Sequence, residues 1–128
     1  MKKIFCAVLL LILITACSSK TPKTVEEQIE LSKKSGRILL VQIGNDVCGP
    51  CIEMKPTLQR VQEDYQDKIQ IIYVDTVKEP ELIKKYGIQK IPTQIFYDKK
   101  GKEFGRNEGH YSYPEIAFVL KDMGIKLF

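Results

Sequence analysis

"VCGPCIEMKP", residues 47–56, sets two cysteines three positions apart, with Gly49 and Pro50 between them and a helix-like run behind. Such a pair can staple a small domain, supply half of a metal site, or react as a dithiol. The flanking sequence gives the motif a place in a fold. Before it, "RILLVQIG" (37–44) is a nearly continuous apolar run bounded by turn-formers, which predicts a central strand buried on both faces. After it, helical spacing through Ile52, Leu58 and Val61 runs to about Tyr65, and Pro56 is expected to kink that helix rather than begin it.

Working outward, "KIQIIYVD" (68–75) reads as a strand and "EPELIKKYGI" (79–88) as a short helix closed by Gly87. "IPTQIFYD" (91–98) is a third strand entered through a proline. "DKKG" (98–101) is a hairpin turn into "KEFGRNE" (102–108), an edge strand weakened by Gly105. Two capping boxes frame the series. Thr24 with Glu27 opens a first helix to about Ser35, with Val25, Ile29 and Leu31 on its apolar side and Gly36 as the stop. Ser112 with Glu115 opens a last helix, with Pro114 in its first turn and Gly124 at its end. Helix, strand, helix, strand, helix, strand, strand, helix predicts an α/β domain whose central sheet is covered on both faces.

The N-terminus has a different character. "MKKIFCAVLLLILITAC" has two lysines, then an apolar run from Ile4 to Ile14 of 11 residues, short of the roughly 20 that span a bilayer. A charged start, a short apolar stretch and small residues at its end have the form of a secretory signal. Ile14-Thr15-Ala16-Cys17 resembles the lipobox of bacterial lipoproteins, which implies lipid on the Cys17 thiol and cleavage just ahead of it. The expected organisation is a signal at 1–16, lipidated Cys17 with a polar tether to residue 23, and one domain from 24 to 128. Extended at about 3.3 Å per residue, the tether reaches on the order of 20 Å, so the domain is expected to work near a membrane, outside the cytoplasm.

At 128 residues the chain suffices for one core, and 44% hydrophobic with 28% charged residues is ordinary globular composition. Its net charge of +4 falls when Lys2 and Lys3 leave with the signal, so no nucleic-acid footprint is expected. Cys6 leaves too, and Cys17 is taken by lipid, so Cys48 and Cys51 remain for thiol chemistry. With His110, the sole histidine, they make three metal ligands where a structural zinc site usually needs four. A staple closing so short a loop removes little unfolded-chain entropy.

In register, the strand before the motif, Cys48-Gly49-Pro50-Cys51, Pro56, "YGIQKIPT" (86–93) and Gly109 ahead of the last helix resemble the thioredoxin family over residues 37–123. That resemblance implies a thioredoxin fold, a central mixed sheet flanked by helices on both faces. It also implies a redox-active Cys48-Cys51 disulfide with no other cofactor and no metal. Cys48 would be the attacking thiol at a helix N-terminus, where backbone N–H groups and the positive dipole end favour the thiolate, lowering a cysteine pKa from about 8.5 to about 7 in thioredoxin itself. Cys51, one turn on, would resolve the mixed disulfide. Gly49 would let a partner chain approach, and Pro50 would preset the helical φ. Ile91 and Pro92 would form the substrate-docking ledge, with a cis bond before Pro92.

Three departures stand out. The family's usual Trp before the first cysteine is Val47, its buried acid, which assists deprotonation of the second cysteine, falls on Gln42, and the buried lysine that accompanies that acid aligns with Tyr73. A carboxamide accepts a hydrogen bond but no proton at neutral pH. Water, a partner residue or His110 would then take the proton from Cys51. Glu53, Lys55 and Arg106 are charges near the expected rim, read first as solvated surface. The function expected from these residues is a membrane-anchored, monomeric protein-disulfide reductase, recharged by a membrane thiol carrier and acting on oxidised client proteins. A disulfide oxidase or isomerase, or a non-catalytic binding lipoprotein, is the alternative.

Overall fold

A computed structural model describes residues 21–126. The signal, Cys17 and the first part of the tether lie outside the described residues. Among those described, no helix is long and apolar enough to cross a membrane.

Nine elements follow in order: helix α1 (Val25–Lys33), strand β1 (Ile38–Gly44), α2 (Gly49–Tyr65), a single 3-10 turn (Gln66–Lys68), β2 (Ile69–Asp75), α3 (Pro80–Lys85), β3 (Thr93–Tyr97), β4 (Glu103–Glu108) and α4 (Tyr113–Asp122). The sheet order is β2-β1-β3-β4. β1 runs parallel to β2 and antiparallel to β3, and β3 runs antiparallel to β4. The sheet is therefore mixed, as expected.

β1 is buried along its whole length, which explains why its sequence does not alternate. Its side chains still do. Ile38 and Leu40 join Met54, Leu58, Val61 and Tyr65 of α2 and Ile116 and Leu120 of α4 in one cluster. Leu39, Val41 and Ile43 join Ile29 of α1 and Leu82 of α3 in the other. A residue's position in β1 thus decides which helix layer it meets.

Several boundaries differ from the sequence expectation. α1 ends at Lys33, and its buried residues are Ile29 and Ser32, while Leu31 is exposed. Two residues past Ile29 lies roughly half-way round the helix, so Leu31 turns to solvent. Only half of the first capping box forms. Thr24 Oγ1 accepts the Glu27 N–H at 3.0 Å, but the Glu27 carboxylate takes the Lys23 N–H at 2.8 Å instead of that of Thr24. The second box, Ser112 with Glu115, is complete. α2 continues through Pro56, whose missing N–H frees the carbonyl of exposed Ile52. β3 begins at Thr93, after the proline that has no N–H for a ladder.

The hairpin turn at 98–101 docks the sheet edge on α1. Asp98 Oδ1 accepts the N–H groups of Lys100 and Lys102 at 2.8 and 3.0 Å. Gly101 has φ +77°, and a Cβ there would lie 2.7 Å from the Lys33 carbonyl oxygen. Gly101→Ala is expected to cost about 1–3 kcal/mol, read as a lower urea midpoint with unchanged m-value. No shift in the midpoint would mean that the turn has room to relax.

Candidate active site

Cys48 and Cys51 are joined as a disulfide across the first turn of α2, with Cα atoms 5.2 Å apart. Their surroundings differ. Cys48 is the N-cap residue of α2, partly exposed, and its Sγ accepts the Cys51 N–H at 3.3 Å. Cys51 is fully buried. No acidic side chain sits in the first turn of α2, so the dipole at this end acts on Cys48 without an opposing negative charge in that turn. Gly49 and Pro50 are exposed, leaving the Cys48 side of the motif open to a partner.

The loop into the motif is tied down. Asn45 Oδ1 accepts the Val47 N–H at 3.1 Å, and Asn45 Nδ2 donates to Thr76 Oγ1 at 2.9 Å in the β2–α3 connection. Val47, where the family usually has Trp, is 87% exposed.

The Ile91-Pro92 bond is cis, as the resemblance implies. Pro92 is buried and Ile91 partly exposed. The Pro92 carbonyl accepts the Gly109 N–H at 2.7 Å, tying the start of β3 to the loop before α4. The β1–β3 register ends at Ile43 opposite Thr93. Pro92 therefore sits at the sheet end where Gly44 leads into the cysteine loop.

Gly44 is where strand and disulfide meet. A Cβ on it would lie 2.8 Å from Cys51 Sγ and 3.1 Å from the Tyr73 hydroxyl, too close for any side chain.

Gln42 lies on the same face of β1, fully buried. Its Oε1 accepts from Gln94 Nε2 at 3.0 Å, and Gln94 Oε1 accepts from Asn107 Nδ2 at 2.8 Å. Asn107 Nδ2 also donates to the Gly109 carbonyl at 3.2 Å. A chain of neutral amides thus crosses β1, β3 and β4 and ends in the loop that holds Pro92. Its first member, Gln42 Nε2, has no partner. Nothing in this chain accepts a proton at neutral pH.

His110 is exposed. Its charge acts on Glu115, whose carboxyl is held below the usual range chiefly by hydrogen bonds from the Ser112 hydroxyl and N–H, and less by His110. Lys55 pairs with Asp46 at 2.7 Å. Glu53 is exposed. Arg106 grips Glu103 with two nitrogens and donates a third to the Tyr86 carbonyl at 2.9 Å, so it braces β4 rather than the rim of the site. Among the described residues no group of three or more His, Cys, Asp or Glu is placed to hold a metal ion.

Sequence reading aligned Tyr73 with the family's buried lysine but gave its hydroxyl no place in the site. Tyr73 pairs with Gln42 across β1 and β2, and its hydroxyl is buried without a partner. The signal was the glycine: a strand buried on both faces that ends in Gly44 leaves a space for a neighbour's side chain.

The family model described as Thioredoxin matches residues 18–122. The chain belongs to the thioredoxin family. It is 42% identical over 80 residues to Thioredoxin Y, chloroplastic, of Oryza sativa subsp. japonica, covering 62% of this chain and 47% of that protein. It is 34% identical over 100 residues to Thioredoxin Y1, chloroplastic, of Arabidopsis thaliana, covering 78% and 58%. The chain thus spans about half the length of these relatives. The Thioredoxin of Staphylococcus aureus (strain Mu50) is 32% identical over 89 residues, 70% of this chain and 85% of that one. Among solved structures, chloroplastic thioredoxin z superposes with a TM-score of 0.69 at 24% identity, covering 77% of this chain and 88% of that one. Mitochondrial thioredoxin 3 from Saccharomyces cerevisiae, in its oxidized form, gives 0.66 at 23% identity, covering 77% and 89%. These two establish the fold.

Gln94→Ala removes the centre of the amide chain, leaving Gln42 and Asn107 without their partner. It is expected to cost about 2–4 kcal/mol in urea unfolding. A loss below about 0.5 kcal/mol, the size of an ordinary surface change, would show that the chain adds nothing to the core.

Proposed function

We propose that this protein is a monomeric thiol-disulfide oxidoreductase that reduces client disulfides, held outside the cytoplasm by lipid on Cys17. The observation that carries the redox reading is the asymmetry of the cysteine pair: Cys48 at a helix N-terminus and reachable, Cys51 buried behind it.

The reaction follows from that asymmetry. In the reduced protein the Cys48 thiolate attacks a client disulfide, forming a mixed disulfide and releasing one client sulfur as a thiolate that takes up a proton. Cys51 loses its proton and attacks Cys48 Sγ, which releases the second client thiol. Two electrons pass to the client and the Cys48-Cys51 disulfide is left. Docking on Ile91 and Pro92 is supported by the family resemblance, by the partial exposure of Ile91, and by the absence of Ile91 from the backbone hydrogen bonds of its loop.

Gly-Pro between the cysteines resembles reducing thioredoxins, near about -270 mV, and not strong oxidants near about -120 mV. A reductant outside the cytoplasm needs electrons from within, and a membrane thiol carrier is the donor that a lipid-tethered domain would meet. The anchor itself is supported by the pattern of residues 1–17.

With insulin as a disulfide-bonded client and dithiothreitol as donor, Cys48→Ser should abolish turnover. Cys51→Ser should stop at a mixed disulfide visible on a non-reducing gel. Full activity of Cys48→Ser would reassign the nucleophile. In cells fed labelled palmitate, the wild type should carry label in the membrane fraction and Cys17→Ser should lose both; an unlabelled wild type would remove the anchor from the account.

A further inference from the structure

We propose that the Tyr73 hydroxyl is the hydrogen-bond donor that stabilises the Cys51 thiolate, filling the place left when Gln42 replaced a proton-handling acid; this rests on the dithiol reading above. The hydroxyl and Cys51 Sγ lie 3.1 and 2.8 Å from a single point, the position a Cβ on Gly44 would take. The two atoms border the same small space over Gly44, and in the disulfide form the hydroxyl makes no hydrogen bond to the sulfur. The hydroxyl is buried and without a partner while Cys51 is tied in the disulfide. A disulfide sulfur is a weak acceptor, whereas a thiolate is a strong one. Reduction therefore gives the phenol the partner it lacks.

Tyr73 acts as a donor and not as a base. Burial is the chief cause that raises its pKa; Asp46 and Asp75 raise it further, and Lys55 opposes them. The phenol keeps its proton throughout the physiological range. The proton leaving Cys51 goes to water, and Tyr73 lowers the energy of the anion left behind. Tyr73, Asp46, Lys55 and Asp75 all line an open groove of about 590 Å³ between α2 and the β2 edge.

The test uses the reduced protein and 5,5'-dithiobis(2-nitrobenzoate), with no client. The first coloured thiolate released reports attack by Cys48, and the second reports resolution by Cys51. In Tyr73→Phe the first rate should be unchanged. The second should fall about tenfold at neutral pH, with its pH profile moved up by about one unit, the equivalent of that factor, and with the same plateau at high pH. Asp46, Lys55 and Asp75 stay in place, so their charges do not account for the shift.

At a pH high enough to ionise Cys51 in both proteins, the Cys48/Cys51 equilibrium with dithiothreitol should move about tenfold toward the disulfide, or about 30 mV for two electrons. Two effects share that sign: the reduced form loses a hydrogen bond and the oxidised form loses an unsatisfied hydroxyl. Thermal unfolding guards against a merely structural effect. Oxidised Tyr73→Phe should melt no lower than the oxidised wild type, and the reduced form should lose stability relative to it. An unchanged second rate and pH profile, or equal destabilisation of both redox forms with an unchanged potential, would overturn the role of Tyr73. A wild type that releases no second thiolate would instead overturn the dithiol reading.

Discussion

The close approach at Gly44 is the constraint on which the site depends. β1 is the central strand, buried on both faces, and it ends where a side chain would strike both the Cys51 sulfur and the Tyr73 hydroxyl. Because that position is glycine, α2 can begin directly against the sheet, with its second cysteine driven into the core and its first left at the helix cap. Burial of Met54, Leu58 and Val61 on the same sheet face holds α2 in that pose. The reactive end of the helix is thus positioned by apolar contacts one to three turns away. The ion pair nearest the loop, Lys55 with Asp46, is exposed, and solvent screening leaves such pairs little weight in stability.

In the reaction proposed, unequal burial divides the labour of the two thiols. A partly exposed sulfur at a helix N-terminus is stabilised as an anion and is reachable. A buried sulfur is protected from solvent but costly to ionise, since desolvation disfavours the charged form. A resolving cysteine in that position needs help from a neighbouring dipole or base. On this face of the sheet the amides of Gln42, Gln94 and Asn107 and the phenol of Tyr73 are neutral and offer hydrogen bonds, while the Asp75 carboxylate, opposite Gly44, accepts the Val77 N–H and pairs with Lys78. The Gln42 and Gln94 oxygens are committed within the amide chain, whereas Gln42 Nε2 and the Tyr73 hydroxyl are donors without a partner.

Much of this was legible in the sequence. The unbroken apolar run at 37–44 marked the central strand because a strand covered on both sides has no polar face to show. The cysteine pair, Pro50 and Ile91-Pro92 were legible because each combines a local backbone demand with a family pattern. Leu31 was misassigned to the core because a short amphipathic helix with few apolar residues leaves its phase underdetermined. The bond from Glu27 to the Lys23 N–H differs by one residue from a capping box, which a sequence pattern does not resolve. The chain of amides and the place of Tyr73 were hidden for a different reason. They depend on which residues stand opposite each other in three strands, and that register emerges only when β1, β2 and β3 are paired.

The central claim is that the Cys48/Cys51 pair is a reducing couple, and its reduction potential tests that claim most directly. A soluble form beginning at Ser18, equilibrated in dithiothreitol buffers and read by thiol alkylation, should give a value near about -270 mV. A value of about -180 to -120 mV would contradict the account and make the protein a disulfide donor or isomerase.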